Sequence, residues 1–399
     1  MQIRSFRIAI GDVEVADLKQ RLAQTRWPSE MSGVGWEMGM SGAFLRRLNE
    51  YWLHEFDWRR VESCLNGLPQ FEAVTDSGAI HFAHLRSDVP GAIPIVLTHG
   101  WPGHFAEFKS LAEMLARPAE HAGTADEAFH VVIPSLPGYA FSAPPAVPGT
   151  DVFTIADRWS ALMSALGYRR FMAHGGDIGA SVSTALGLKY PERVLGVHLN
   201  YIPGSYRPHP AGAEALTPEE QKFLHRRAAW FETEGGYAHV QGTKPDVLAP
   251  ALNDSPMGLA AWIIDKFRSW SDCGGDVLAR FTFDELLTTT SLYWFTGAMP
   301  SAIRLYWEMR RRPLRFSAGE RVEVPVAVAH FPGELPIPPR RYVERGYNVT
   351  RWTEMSSGGH FAALEEPEAL AQDIRSFAAG FRSPPQRTDE VPIHSRSGG

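Results

Sequence analysis

The chain has 399 residues, 44% of them hydrophobic, with a formal net charge of -6 and a pI near 6.2. There is ample apolar material for a large core, and length alone suggests two or three domains. The acidic balance and the lack of a dense Lys/Arg stripe argue against nucleic acid or an anionic membrane as partner, and the short run Arg310-Arg311-Arg312 suits a solvated helix end. Only two cysteines occur, Cys64 and Cys273, far apart and without metal-ligand spacing. They suggest neither a disulfide framework nor a zinc site, and reduced thiols in the cytoplasm fit best. No secretory h-region and no apolar run of about 18 residues is found, so no membrane span is expected.

In chain order, Ile3 to Ile10 alternates polar and apolar residues and reads as a strand, after which Asp12 can cap a helix carrying Val15, Leu18, Leu22 and Trp27 until Pro28 stops it. Ser41 to Phe56 gives a second amphipathic helix. These elements form an extension, residues 1–69, with too little apolar periodicity to stand as an independent domain. Two alternating segments between Gln70 and Leu85, joined by Asp76-Ser77-Gly78, read as a hairpin. The nearly continuous apolar run Ile93 to Thr98 is a strand buried on both faces. Further strands are read at Val131–Ile133, Phe171–Ala173, Val194–Leu199 and Val324–Ala329, with helices at Phe105–Leu115, Ile155–Leu166 and Ala180–Lys189. Strand alternating with helix predicts an α/β fold, a mostly parallel sheet with helices on both faces.

Between Pro203 and about Phe316 the strand runs vanish, and Ala260–Trp270, Phe283–Phe295 and Pro300–Arg312 read as helices. The expected organisation is a core at 70–203 and 318–381, interrupted by a helical cap at 204–317. A polar tail at 382–399, without periodicity, is expected to be disordered.

The chemistry centres on His174-Gly175-Gly176-Asp177-Ile178-Gly179, which follows an apolar strand and opens a helix. Glycines two residues either side of one side chain are the setting of a nucleophile elbow. A carboxylate in that place can attack an sp³ carbon and form an alkyl ester that water must then hydrolyse. The same residues also suit a glycine-rich turn with an acid near a helix start, and the stretch alone does not choose. The loop His99-Gly100-Trp101-Pro102-Gly103 after the buried strand can aim the Trp101 N–H at an oxyanion, with the Ile178 N–H as partner. The loop Ser135 to Ser142 leaves another strand at the same end. An ester needs a base for water. His360, in Gly358-Gly359-His360-Phe361, is the candidate among 15 histidines because the order nucleophile, acid, histidine suits this topology, and His99, His174 and His198 are read as structural. Glu334, just after the Val324–Ala329 strand, stands where the orienting acid should be. A solvated turn glutamate is its other reading.

With these motifs, and with Gly236 to Pro245 and Ala251 to Pro256, the chain resembles the epoxide hydrolases of the microsomal and juvenile-hormone type from about Ile3 to about Phe377. The resemblance implies an α/β-hydrolase fold with a helical cap and an N-terminal extension that wraps both. It implies Asp177 as nucleophile, His360 as base and Glu334 as acid, with Tyr237 and Tyr306 binding the epoxide oxygen. The substrate implied is a small apolar epoxide, opened to a vicinal diol without a metal or cofactor. Two departures stand out: the family usually has Trp after the nucleophile, where this chain has Ile178, and no membrane anchor is expected ahead of the extension. A haloalkane dehalogenase would use the same acid, base and nucleophile but needs Trp N–H donors for halide, which Ile178 cannot supply. A non-catalytic binder of apolar ligands would keep the fold without turnover. The sequence leaves open the natural epoxide and the oligomeric state, a homodimer included.

Overall fold

The computed structural model describes residues 1–208, 215–317 and 319–382. Nine strands form one sheet: β1 (Gln2–Phe6), β2 (Gln70–Thr75), β3 (Gly78–Leu85), β4 (Ile93–Thr98), β5 (Phe129–Pro134), β6 (Phe171–Gly175), β7 (Val194–Leu199), β8 (Val322–His330) and β9 (Tyr347–Glu354). Their order is β1-β2-β3-β5-β4-β6-β7-β8-β9. The pairings of β1 with β2, β2 with β3 and β3 with β5 are antiparallel, and the rest are parallel. β5 lies on one side of β4 and β6 on the other. Right-handed crossovers therefore put the helix Lys109–Ala116 on one face, and Val152–Ala165 and Asp177–Lys189 on the opposite face. The crevice at the carboxyl ends of β4 and β6, where the winding direction reverses, is where such a sheet binds ligands.

The central strands are apolar because both faces are covered: Ile95, Val96, Leu97, Val131, Val132, Ile133, Val197 and Val328 have no accessible surface. Between β7 and β8 the described elements are helices, chiefly Pro218–Glu234, Gly236–Thr243, Pro245–Asp254, Pro256–Trp270, Phe283–Thr296 and Met299–Arg311. They sit on the carboxyl-end loops. The Ser301 hydroxyl donates to the Gly138 carbonyl, and the Tyr293 and Tyr139 hydroxyls to the carbonyls of Gly103 and Ala302. No described helix is long and apolar enough to cross a membrane.

The N-terminal segment adds β1 to the sheet edge and lays Asp12–Ala23 and Gly42–His54 against Pro256–Trp270. Polar ties cross the same junction: Arg21 pairs with Asp254 at 2.8 Å, and Tyr51 and Arg60 both reach Asp284. Trp58 packs its ring on Phe295 at 4.7 Å.

Several elements differ from their sequence-based bounds. β1 stops at Phe6, and the first helix ends at Ala23, well before Pro28. Gly11, not Asp12, is its N-cap, because Asp12 turns outward to Arg59. Phe105–Phe108 is a separate 3₁₀ turn ahead of the Lys109 helix. The helix at the elbow begins at Asp177 rather than Ala180. The helix Trp58–Leu65 and strand β9 carry too many polar residues for their patterns to stand out. Of the expected tail, residues 383–399 lie outside the described residues.

Histidines brace the loops above the sheet. His81 bonds Ser135 at 2.8 Å and Gln70 at 2.9 Å, His99 accepts the Leu136 N–H at 3.1 Å, and His104 bonds Thr289 at 3.0 Å. Burial holds all three neutral, with pKa values pushed down to about 3, 4 and 3. Depressed histidines bind protons in the unfolded chain before the folded one, so their stabilisation is full above pH 6.5 and is lost as pH falls toward 4. Each should cost about 1 kcal/mol between pH 6 and pH 5. Urea denaturation at the two pH values should show the loss, and His81→Gln should lessen it by one histidine's share.

Candidate active site

β6 enters the Asp177–Lys189 helix through Gly176, and Asp177 takes φ +47°, the left-handed region that a non-glycine residue adopts only at a cost. The glycines around it are required by close approach. A methyl on Gly179 would land on the Thr98 carbonyl oxygen, and one on Gly175 on the Gly179 carbonyl. The helix start is thus pressed against β4, which lifts the Asp177 side chain into the crevice. There the Trp101 N–H donates to Asp177 Oδ1 at 2.8 Å. Gly100 must also lack a side chain, since a Cβ would meet the same carboxylate.

The second carboxylate oxygen, Oδ2, stands 3.5 Å from His360 Nε2, and His360 Nδ1 lies 2.5 Å from Glu334 Oε1. That glutamate oxygen also accepts the Leu335 N–H at 2.7 Å. The loops bearing the two residues are joined beyond β8 and β9 by a bridge between Gly333 and Gly359 and by Gly333 N–H to the Gly358 carbonyl at 2.9 Å. His360 is fixed from above as well, its N–H donating to the Trp270 carbonyl at 2.9 Å. Burial disfavours the imidazolium, but the Glu334 charge and the hydrogen bonds to Asp177 and Glu334 outweigh it, and the pKa rises to about 10.

Tyr237, at the start of Gly236–Thr243, and Tyr306, in Met299–Arg311, come from neighbouring helices and meet edge to face at 5.9 Å. The Trp101 ring stacks on Tyr237 at 5.3 Å and meets Tyr306 edge-on at 5.8 Å, so both phenols lie directly over the loop that holds Asp177. Burial lifts the pKa of each well above 10. The Asp177 charge adds to this at Tyr237, as do Tyr237 and Asp177 at Tyr306. The two rings are close neighbours, and neither hydroxyl donates to a backbone carbonyl among the described residues. Tyr139 and Tyr293, by contrast, spend theirs on carbonyls.

The expected site residues Asp177, His360, Glu334, Tyr237, Tyr306 and Trp101 therefore converge, with Ile178 buried beside them. Reasoning from sequence missed Glu107, Asn200 and Trp270, which adjoin the same groups. Glu107 could have been noticed four residues after the Gly103 loop end, but its 3₁₀ turn reads as the start of an ordinary amphipathic helix. Among the described residues no cluster of three or more His, Cys, Asp or Glu could hold a metal ion.

Fold and elbow define the chain as an α/β-hydrolase, and residues 93–235 match the family model of the alpha/beta hydrolase fold. Residues 3–108 match that of the epoxide hydrolase N terminus. Epoxide hydrolase 1 of Sus scrofa is 35% identical over 400 residues, which span 94% of this chain and 88% of that one. Juvenile hormone epoxide hydrolase 1 of Ctenocephalides felis is 33% identical over 410 residues, 96% of this chain and 87% of its own. The structure of Aspergillus niger epoxide hydrolase aligns with a TM-score of 0.83 at 32% identity, covering 95% of this chain and 97% of that one. The chain belongs to the epoxide hydrolase family, and the dehalogenase and pure-binder readings are not favoured.

The close approach at the elbow gives a direct test. Gly179→Ala should destabilise the protein by more than about 2 kcal/mol, because backbone rather than side chain must move. Gly236→Ala, with open space around the new methyl, should stay within about 1 kcal/mol of wild type. Thermal melts of the two variants make the comparison.

Proposed function

We propose that Asp177 opens the epoxide by attack of Oδ2 on a ring carbon, forming an alkyl ester that His360 and water then hydrolyse to the vicinal diol. The observation that carries this reading is the division of labour on one carboxylate: Oδ1 is held by the Trp101 N–H while Oδ2 faces the crevice and His360. Trp101 N–H, with the Ile178 N–H, would hold the oxygen that becomes charged when water adds to the ester. Tyr237 and Tyr306 stay protonated at any working pH and donate to the epoxide oxygen as it becomes an alkoxide. Segment 204–317 serves as the cap, residues 1–69 as the extension that braces it, and 70–203 with 318–381 as the core. The apolar, aromatic surroundings suit a small apolar epoxide. The free thiols of Cys64 and Cys273 support a cytoplasmic setting.

The charge balance closes over the cycle. At rest His360 lies as an imidazolium between the Asp177 and Glu334 carboxylates, and Asp177 Oδ2 is the nucleophile. Once Asp177 is an ester, the Asp177 charge and hydrogen bond that raised His360 are gone, and the histidine gives up a proton as the alkoxide gains one. Neutral His360, oriented by Glu334, can then take a proton from water as the water oxygen attacks Cγ. Collapse of the adduct breaks the bond to the diol oxygen, which takes the proton of the newly added hydroxyl, and restores the carboxylate beside imidazolium.

In His360→Gln the ester should form and persist. Intact mass after mixing with styrene oxide should rise by one epoxide, on the peptide that contains Asp177. A variant with neither mass gain nor turnover would count against the assignment of His360. Asp177→Ala should lose all but a few per cent of activity while keeping the fold.

The tyrosines give a separate expectation. Removing one oxyanion-type donor costs about 2.7–4 kcal/mol, or roughly 10²–10³ in rate. Tyr237→Phe and Tyr306→Phe should each slow ester formation on that scale, and the double variant should nearly stop it. Rapid-quench measurement of alkylation decides, and a double variant within about threefold of wild type would sink the assignment.

A further inference from the structure

Beside Asp177 lies a small cavity with about 30 Å³ open to water, lined among others by Gly103, Glu107, His174, Asp177, Asn200 and His360 but by neither Tyr237 nor Tyr306. A space of that size holds one or two water molecules when polar partners are present. Two of its polar side chains have no part in the chemistry described so far. Asn200, at the end of β7, is 4% exposed and packs its amide against Gly176. That amide makes no hydrogen bond with any described residue. Glu107 accepts the His104 N–H through Oε2 at 3.3 Å, and its other oxygen has no partner among the described residues.

We propose that Glu107 and Asn200 hold the hydrolytic water, presenting it to His360 Nε2 and to the Asp177 carbonyl carbon, and that Glu107 does so as a neutral acid. The proposal rests on the ester pathway above. The protonated Oε1 of Glu107 donates to the water oxygen. The water donates one proton to His360 Nε2 and the other to Asn200 Oδ1, which leaves a lone pair facing Cγ of Asp177. When water attacks, the O–Cγ bond forms and one water proton moves to His360; the diol oxygen then leaves with the other, taken from the new hydroxyl on Cγ. Glu107 and Asn200 neither gain nor lose a proton.

The electrostatic setting agrees. Burial raises Glu107 most; the His104 N–H and His360 oppose this and the Asp177 charge adds to it, leaving its pKa at about 8. The groups that face it are His104 on its own turn, His174 and Asp177 from the β6 turn, His360 from the loop after β9 and Tyr293 from the helix Phe283–Thr296. Esterification removes the Asp177 charge and, with it, the imidazolium, two changes that oppose one another at Glu107.

The test separates ester formation from ester hydrolysis in single turnovers of styrene oxide, by rapid quench and intact mass. Glu107→Leu and Asn200→Leu should form the ester within about threefold of the wild-type rate yet hydrolyse it at least about thirtyfold more slowly, the effect of a lost positioning bond. Glu107→Gln, whose oxygen can accept from His104 while its amide donates to water, should hydrolyse the ester at close to the wild-type rate at pH 7. Wild-type hydrolysis should decline as pH passes about 8, and the glutamine variant should lack that decline. Wild-type ester hydrolysis in both leucine variants would overturn the water site. An alkaline decline unchanged in Glu107→Gln would overturn the neutral-acid donor. If His360→Gln never carries an ester, the ester pathway itself fails, an outcome distinct from either.

Discussion

An imidazole held between two carboxylates is the constraint on which the rest of the site depends. Glu334 is wholly buried and Asp177 largely so, and two such anions without a cation between them would be expelled by desolvation. The His360 ring satisfies both, which is why its loop is anchored so heavily: to the Trp270 carbonyl above, to Gly333 beside it, and through Glu365, which accepts the N–H groups of Phe361 and Asp272. Each anchor lies on a different chain segment. The ion arrangement therefore exists only when sheet, loops and the helical segment between β7 and β8 are all assembled.

The elbow shows how much of this was legible beforehand. Gly175, Asp177 and Gly179 announce a strained turn because spacing alone encodes the backbone demand, and the buried strands announce themselves because double-sided burial leaves only apolar residues. Glu334 and His360 were legible through chain order. Glu107 and Asn200 were not. Their significance comes from a cavity made by four separate loops and strand ends, and no local pattern records which polar side chain is left without a partner when those segments meet. β9 was missed for a related reason: it lies near the sheet edge, is covered less completely, and carries Asn348, Arg351 and Glu354.

The same accounting separates residues that chemistry alone would treat alike. Four tyrosines crowd the crevice, three of them buried and Tyr306 partly so, and all are driven toward the neutral form by desolvation. Tyr139 and Tyr293 close hydrogen bonds to carbonyls and so act as struts. Tyr237 and Tyr306 make no such bond to a carbonyl among the described residues. A donor not committed to a carbonyl can turn to a substrate oxygen at small cost, whereas one tied to the backbone would have to leave a carbonyl unsatisfied.

The polar and aromatic ties between the N-terminal segment and the helices over the crevice bear on how molecules get in and out. Arg21, Tyr51, Trp58 and Arg60 are spread along that segment, and they fasten the overlying helices at Asp254, Asp284 and Phe295. A hinged swing of those helices would break these contacts together with the His360–Trp270 bond and so dismantle the base. Traffic is better served by rearrangement of single side chains around a fixed roof. Access under a fixed roof is then set by side-chain shape, which residues remote from the reacting atoms can alter without touching the chemistry.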